Sequence, residues 1–224
     1  MNGTDSKVSV GSLILAPAII TLAITILRLI GELQGWSPLL FNKAPGGGFA
    51  LVGISWLPVI FGPYFAWKVV AAGAGPSSWG KAFGLVGLGI VVLVLGSVLE
   101  YFGFTKGMVA VFALAGLIQL ASAFVARIGW RTLGNALVAY AFAARIPVLV
   151  VMYIAMSANG GQGWGTHYDV SGPGFTVTSL GQKFLQESFI PQMGFWIGYT
   201  VIVGMLFGCA VVAIFGRRRI VATA

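Results

Sequence analysis

Leu133 to Ser157 reads LGNALVAYAFAARIPVLVVMYIAMS, with Arg145 as its only charged residue. An α-helix rises about 1.5 Å per residue, so a run of this length crosses the roughly 30 Å apolar core of a bilayer. The run is apolar all round, unlike a surface helix of a soluble domain. Five more stretches read the same way. They cover about residues 11–31, 49–72, 83–102, 107–127 and 193–215. Composition agrees: 58% of residues are apolar and 8% charged, against about 25% charged in soluble domains. The expected fold is all-α, one domain of six transmembrane helices spanning the 224 residues.

The first stretch has a long apolar core, no Ala-x-Ala site after it, and Arg28 and Glu32 near its end. It is expected to be a permanent helix, not a cleaved leader. Positive charge sets the orientation. With the N-terminus inside, Lys7, Lys68, Lys81, Arg127, Arg131, Arg217, Arg218 and Arg219 lie at the cytoplasmic side. Arg28, Lys43, Lys106 and Lys183 lie outside. Both termini are therefore expected in the cytoplasm, and the expected location is a bacterial inner membrane.

The outer loops are long. Leu33 to Gly48 carries Trp36, two prolines and three consecutive glycines. Residues 158–192 form the longest polar segment. Phe175 to Thr178 looks extended there. Ser179 to Phe189 looks like a short helix lying flat at the interface, with Leu180, Phe184, Leu185 and Phe189 on one side.

Arg145 is the most telling polar residue. A charge at mid-membrane costs about 2.5–3.5 kcal/mol on insertion scales, so it should face the bundle and find a partner. Pro147 frees a carbonyl one turn earlier. Glu100 is the expected partner, the deepest acid in the chain, with Tyr101 beside it. Arg28 and Glu32 form an i, i+4 pair at the outer end of the first span. Ser55, Trp56, Pro58, Gly62, Pro63 and Tyr64 mark a kinked or broken second span. Gln119 lies mid-way along the fourth. These residues fall mainly in the outer half and predict a loop-covered pocket. The expected ligand-binding residues are Arg145, Glu100, Arg28, Glu32, Trp56, Tyr101 and Gln119.

Gly194 with Gly198 and Gly204 with Gly208 are small-xxx-small pairs suited to close helix packing. They would serve packing within the chain, a homo-oligomer or a partner subunit. His167 is the only histidine and Cys209 the only cysteine. That pair makes no zinc or haem site of ordinary type, so no metal or cofactor is expected. No Walker-type glycine loop or metalloprotease motif is present. The net charge of +8 sits at span ends rather than along a stripe, which argues for lipid contact over nucleic acid.

The function these residues suggest is a small transporter, channel or solute-binding protein for a small polar or anionic ligand. It is not expected to be an enzyme. A non-catalytic membrane subunit is the first alternative. An intramembrane enzyme acting on lipid, with Glu100 or His167 as base, is the second.

Overall fold

The computed structural model describes residues 9–48, 50–172 and 179–216. They are helical, with no strand. In chain order the helices are α1 Val10–Leu33, α2 Leu57–Ala71, α3 Trp79–Thr105, α4 Val109–Gly129, α5 Arg131–Gly161 and α6 Leu180–Gly216. All but α2 are long and apolar enough to cross a membrane. The exterior supports that reading. Ile19, Leu95, Val98, Leu117, Ile146 and Val150 are exposed, whereas Thr21, Glu32, Gln119, Ser122 and Arg145 are buried. A surface this apolar, with these polar side chains turned inward, suits lipid and not water.

Local chemistry explains the helix ends. Ser9 caps α1 by accepting the Ser12 N–H at 3.5 Å, and Ser78 caps α3 by accepting the Lys81 N–H at 3.3 Å. At the end of the bundle away from the long loops, the Trp130 indole N–H donates to the Ala74 carbonyl at 2.8 Å. This bond ties the α4–α5 joint to the α2–α3 turn.

α6 packs against α2, α3, α4 and α5 and is the axis of the bundle. Glycine allows the closest approach. A Cβ on Gly62 would lie 2.2 Å from the Gly204 carbonyl oxygen, so α2 and α6 meet backbone to backbone. Gly194 and Gly198 face α4 at Gly116 and Gln119, Gly204 faces Leu137, and Gly208 faces Gly62. All four glycines are buried inside the one chain. They are used internally, so an oligomer or partner subunit would have to meet some other surface.

Two expected boundaries change. The second span was expected from residue 49, but α2 begins at Leu57. Residues 50–56 form turns and bends instead. Their backbone is satisfied locally: Leu51 and Val52 donate to the carbonyls of Leu39 and Leu40 at 3.2 and 3.1 Å. Pro58 sits in the first turn of α2, where a missing N–H does no harm. It therefore breaks nothing, and Pro63 is the proline within the helix.

The last span was expected from residue 193 after a separate surface helix. Instead Leu180–Lys183 runs through a π-helical turn, Phe184–Phe189, and Ile190–Met193 into Phe195–Val211, with a bend at Gly194. Pro191 gives the physical reason for the π turn. It has no N–H to bond the Glu187 carbonyl, so regular α winding cannot continue there. Leu180 and Phe184 pack inward, while Leu185 and Phe189 are exposed. The four apolar residues therefore do not share one side. Phe175 to Thr178, Lys7 and Arg217 to Arg219 lie outside the described residues.

Candidate functional site

Arg28 stands one turn before the end of α1 and is buried. Its Nε donates to Glu32 Oε1 at 2.8 Å. Its Nη2 donates to the carbonyls of Asn42 and Gly47 at 3.1 and 2.7 Å. A guanidinium presents its donors in a fixed fork, so three acceptors at these positions hold the loop in one place. Gly47 has φ +83°, and a Cβ there would lie 2.8 Å from Nη2. Glycine is required by both conformation and space.

Glu32 is fully buried, at 0% exposure. It receives the second long loop. The His167 backbone N–H donates to Oε2 at 2.8 Å, and His167 Nδ1 lies 2.5 Å from Oε1. Asp169 shapes that loop. It accepts the N–H groups of Gly165 and Thr166 at 2.8 and 2.9 Å and the Thr166 hydroxyl at 2.5 Å. Tyr168 donates its hydroxyl to the Thr25 carbonyl at 3.2 Å. Burial, aided by the Arg28 charge, holds the His167 imidazole below its ordinary pKa despite its hydrogen bond to Glu32. A neutral ring then carries its proton on Nδ1, donates it to Glu32, and leaves Nε2 as an acceptor.

Beneath these loops lies a cavity of about 290 Å³. Arg28 and His167 line its upper wall. One face of α5 supplies Arg145, Val148, Met152 and Met156, and α6 supplies Glu187, Gln192 and Trp196. Arg145 is 4% exposed. Its Nη1 donates to Gln192 Oε1 at 3.3 Å, and its guanidinium carbon lies 4.5 Å from the centre of the Trp196 ring. Its Nε has no hydrogen-bond partner among the described residues, nor does Glu187 Oε1.

Arg145 and Arg28 thus line the same cavity, with Glu32 directly behind Arg28. Glu100 does not join them. Its Oε2 accepts the Gln119 amide N–H at 2.8 Å, and Gln119 also donates to the Ser97 hydroxyl at 3.3 Å. The helix face decides this: Glu100 points from α3 toward α4, the helix against which α3 mainly packs. The expected Arg145–Glu100 pair is therefore replaced by Arg145–Gln192 and Glu100–Gln119. Tyr101 is 70% exposed on the exterior. Trp56 lies in the approach to α2 and donates to the Leu51 carbonyl at 3.2 Å. Neither of these, nor Gln119 or Glu100, lines the cavity.

Cavity residues that were not among the expected ones include His167, Glu187, Gln192 and Trp196. His167 carried a signal, being the lone histidine beside Tyr168 and Asp169. Glu187 and Gln192 were hidden by the assumption that α6 begins at residue 193; Trp196 lay within the expected span, but its apolar ring gave no sign that it faces the cavity. Among the described residues, no three His, Cys, Asp or Glu side chains are grouped to hold a metal ion. Comparison of the chain with protein-family models, curated proteins and solved structures finds no match.

Proposed function

We propose that this chain is a solute-binding or transport protein of a bacterial inner membrane. Its loop-side cavity takes a small polar or anionic ligand. The supporting observation is Arg145, a buried guanidinium in the cavity wall whose partners are a neutral amide and an indole. A buried cation without a counter-charge is costly. An anionic group entering the cavity supplies that charge, and the unpartnered Nε supplies a donor for it. The test is ligand-induced thermal stabilisation of purified protein by a panel of small carboxylates and phosphates. Wild type should be stabilised by at least one of them and Arg145→Ala by none. Equal stabilisation of both would remove Arg145 from the ligand's path and end this reading.

The proposal includes a six-span topology with both termini in the cytoplasm. α2 and residues 50–56 together would make the second crossing. The distribution of charge supports the orientation: Lys68, Lys81, Arg127 and Arg131 lie near one end of the bundle, Arg28, Lys43, Lys106 and Lys183 near the other. Single cysteines in a Cys209→Ser background test it. A cysteine at Gln162 should label from outside in intact cells, and one at Ser77 only after permeabilisation. The reverse pattern would invert the protein.

A further inference from the structure

We infer that the cavity ligand is a small zwitterion, with its anionic group on Arg145 and its ammonium group on Glu187. This inference rests on the ligand-binding reading above and narrows it. Besides Arg28, which is paired with Glu32, two opposite charges line one cavity of about 290 Å³, Arg145 and Glu187. Among the described residues, no ion pair within 4.0 Å joins Arg145 to any acid. Each is restrained where it stands. Arg145 lies over Trp196 and bonds Gln192, and Glu187 is hydrogen-bonded to Ser171. Each also keeps a buried atom with no partner, Nε on Arg145 and Oε1 on Glu187.

The π turn is a second, independent observation. In regular α winding, residues five apart point about 140° away from each other. Over Phe184–Phe189 the winding widens, and both Glu187 and Gln192 reach the cavity wall. Such turns recur at functional sites because they re-aim side chains at some cost to regular bonding. Here the turn sets a carboxylate in the wall that holds the arginine.

Charge complementarity excludes simpler ligands. A lone carboxylate or phosphate would satisfy Arg145 and face Glu187 with like charge. A lone amine would do the reverse. A zwitterion satisfies both and adds no net charge. Val148 and Met152 line the same cavity, an apolar wall that suits a short aliphatic side chain. Methionine accommodates variation in that chain. The volume limits the ligand to the smallest class of metabolites.

The test uses purified full-length protein in detergent, with isothermal titration of four probes. They are leucine, its des-amino analogue 4-methylpentanoate, its decarboxylated analogue 3-methylbutylamine, and O-phosphoethanolamine as a lipid-headgroup zwitterion. Leucine should bind about tenfold or more tighter than either half-molecule, the scale of one charge-assisted hydrogen bond. Glu187→Gln should erase that advantage and tighten 4-methylpentanoate binding, since the like charge facing its carboxylate is gone. Phosphoethanolamine binding in place of leucine, with the same dependence on Glu187, would keep the zwitterion and assign it to a headgroup. If 4-methylpentanoate binds wild type as tightly as leucine, the zwitterion is wrong and the anion-binding reading survives. If none of the four binds, both are wrong.

Discussion

Glu32 holds His167 through both of its oxygens, Oε2 on the backbone N–H at 2.8 Å and Oε1 at 2.5 Å from Nδ1, across 135 residues of sequence. Oε1 also takes the Arg28 Nε. One carboxylate therefore secures a cation on its own helix and a loop from the far half of the chain. Glu32→Ala should destabilise the protein by about 3–5 kcal/mol, the range for stranding a buried partner. Glu32→Gln keeps an acceptor and should lose less. Denaturant unfolding in detergent measures both, and protease sensitivity near Gln162 should rise with the loss.

Acidification should destabilise the fold around His167, because the charged imidazole is costly to bury there beside Arg28. Burial holds His167 below its ordinary pKa of about 6.5. The unfolded chain then binds a proton more readily than the folded one. The stability this group contributes is complete above about pH 6.5 and is lost as pH falls through the folded value. Melting temperature should therefore drop between pH 7.5 and 5. His167→Gln should flatten that slope, and an unchanged slope in the variant would assign the effect to other groups.

Gly62 and Gly84 make a matched pair on consecutive helices. A Cβ at Gly62 meets the Gly204 backbone at 2.2 Å, and one at Gly84 meets nothing within 4 Å. Gly62→Ala should cost about 1–3 kcal/mol or more, because backbone cannot rotate aside. Gly84→Ala should change stability by less than about 0.5 kcal/mol. Parallel unfolding curves decide it.

Arg145 and Glu100 should act independently. Each has its own partner, Gln192 and Gln119. The double variant Arg145→Ala with Glu100→Gln should equal the sum of the singles within about 0.5 kcal/mol. A large favourable coupling would put the two side chains in contact.

These pairings mark how far the sequence reading reached. Arg145 had to face inward, because the cost of a charge in lipid is independent of its neighbours. Its partner depended on the register of α6. That register turns on Pro191 and the π winding before it, and hydropathy is blind to winding. The Arg28–Glu32 pair followed from helical spacing alone. Its burial beneath two loops did not, since it requires the turns at Gly47 and Asp169 to be folded first. Residues 50–56 were placed in a span because they are apolar. An apolar segment whose backbone finds loop partners, as Leu51 and Val52 do with Leu39 and Leu40, cannot be told from a helix by composition.

The shortness of α2 bears on how the chain is made. Its 15 residues reach about 22 Å, less than the roughly 30 Å of a typical hydrocarbon core. Its backbone-to-backbone neighbour is α6, which is made after α1 to α5. On the proposed six-span topology, α2 enters the membrane under-length and completes its packing only when Gly204 arrives to lie against Gly62. On that topology, membrane insertion and completion of the bundle are separate events. A nascent chain stopped before α6 would carry all its earlier apolar segments and still present α2 as a quality-control substrate.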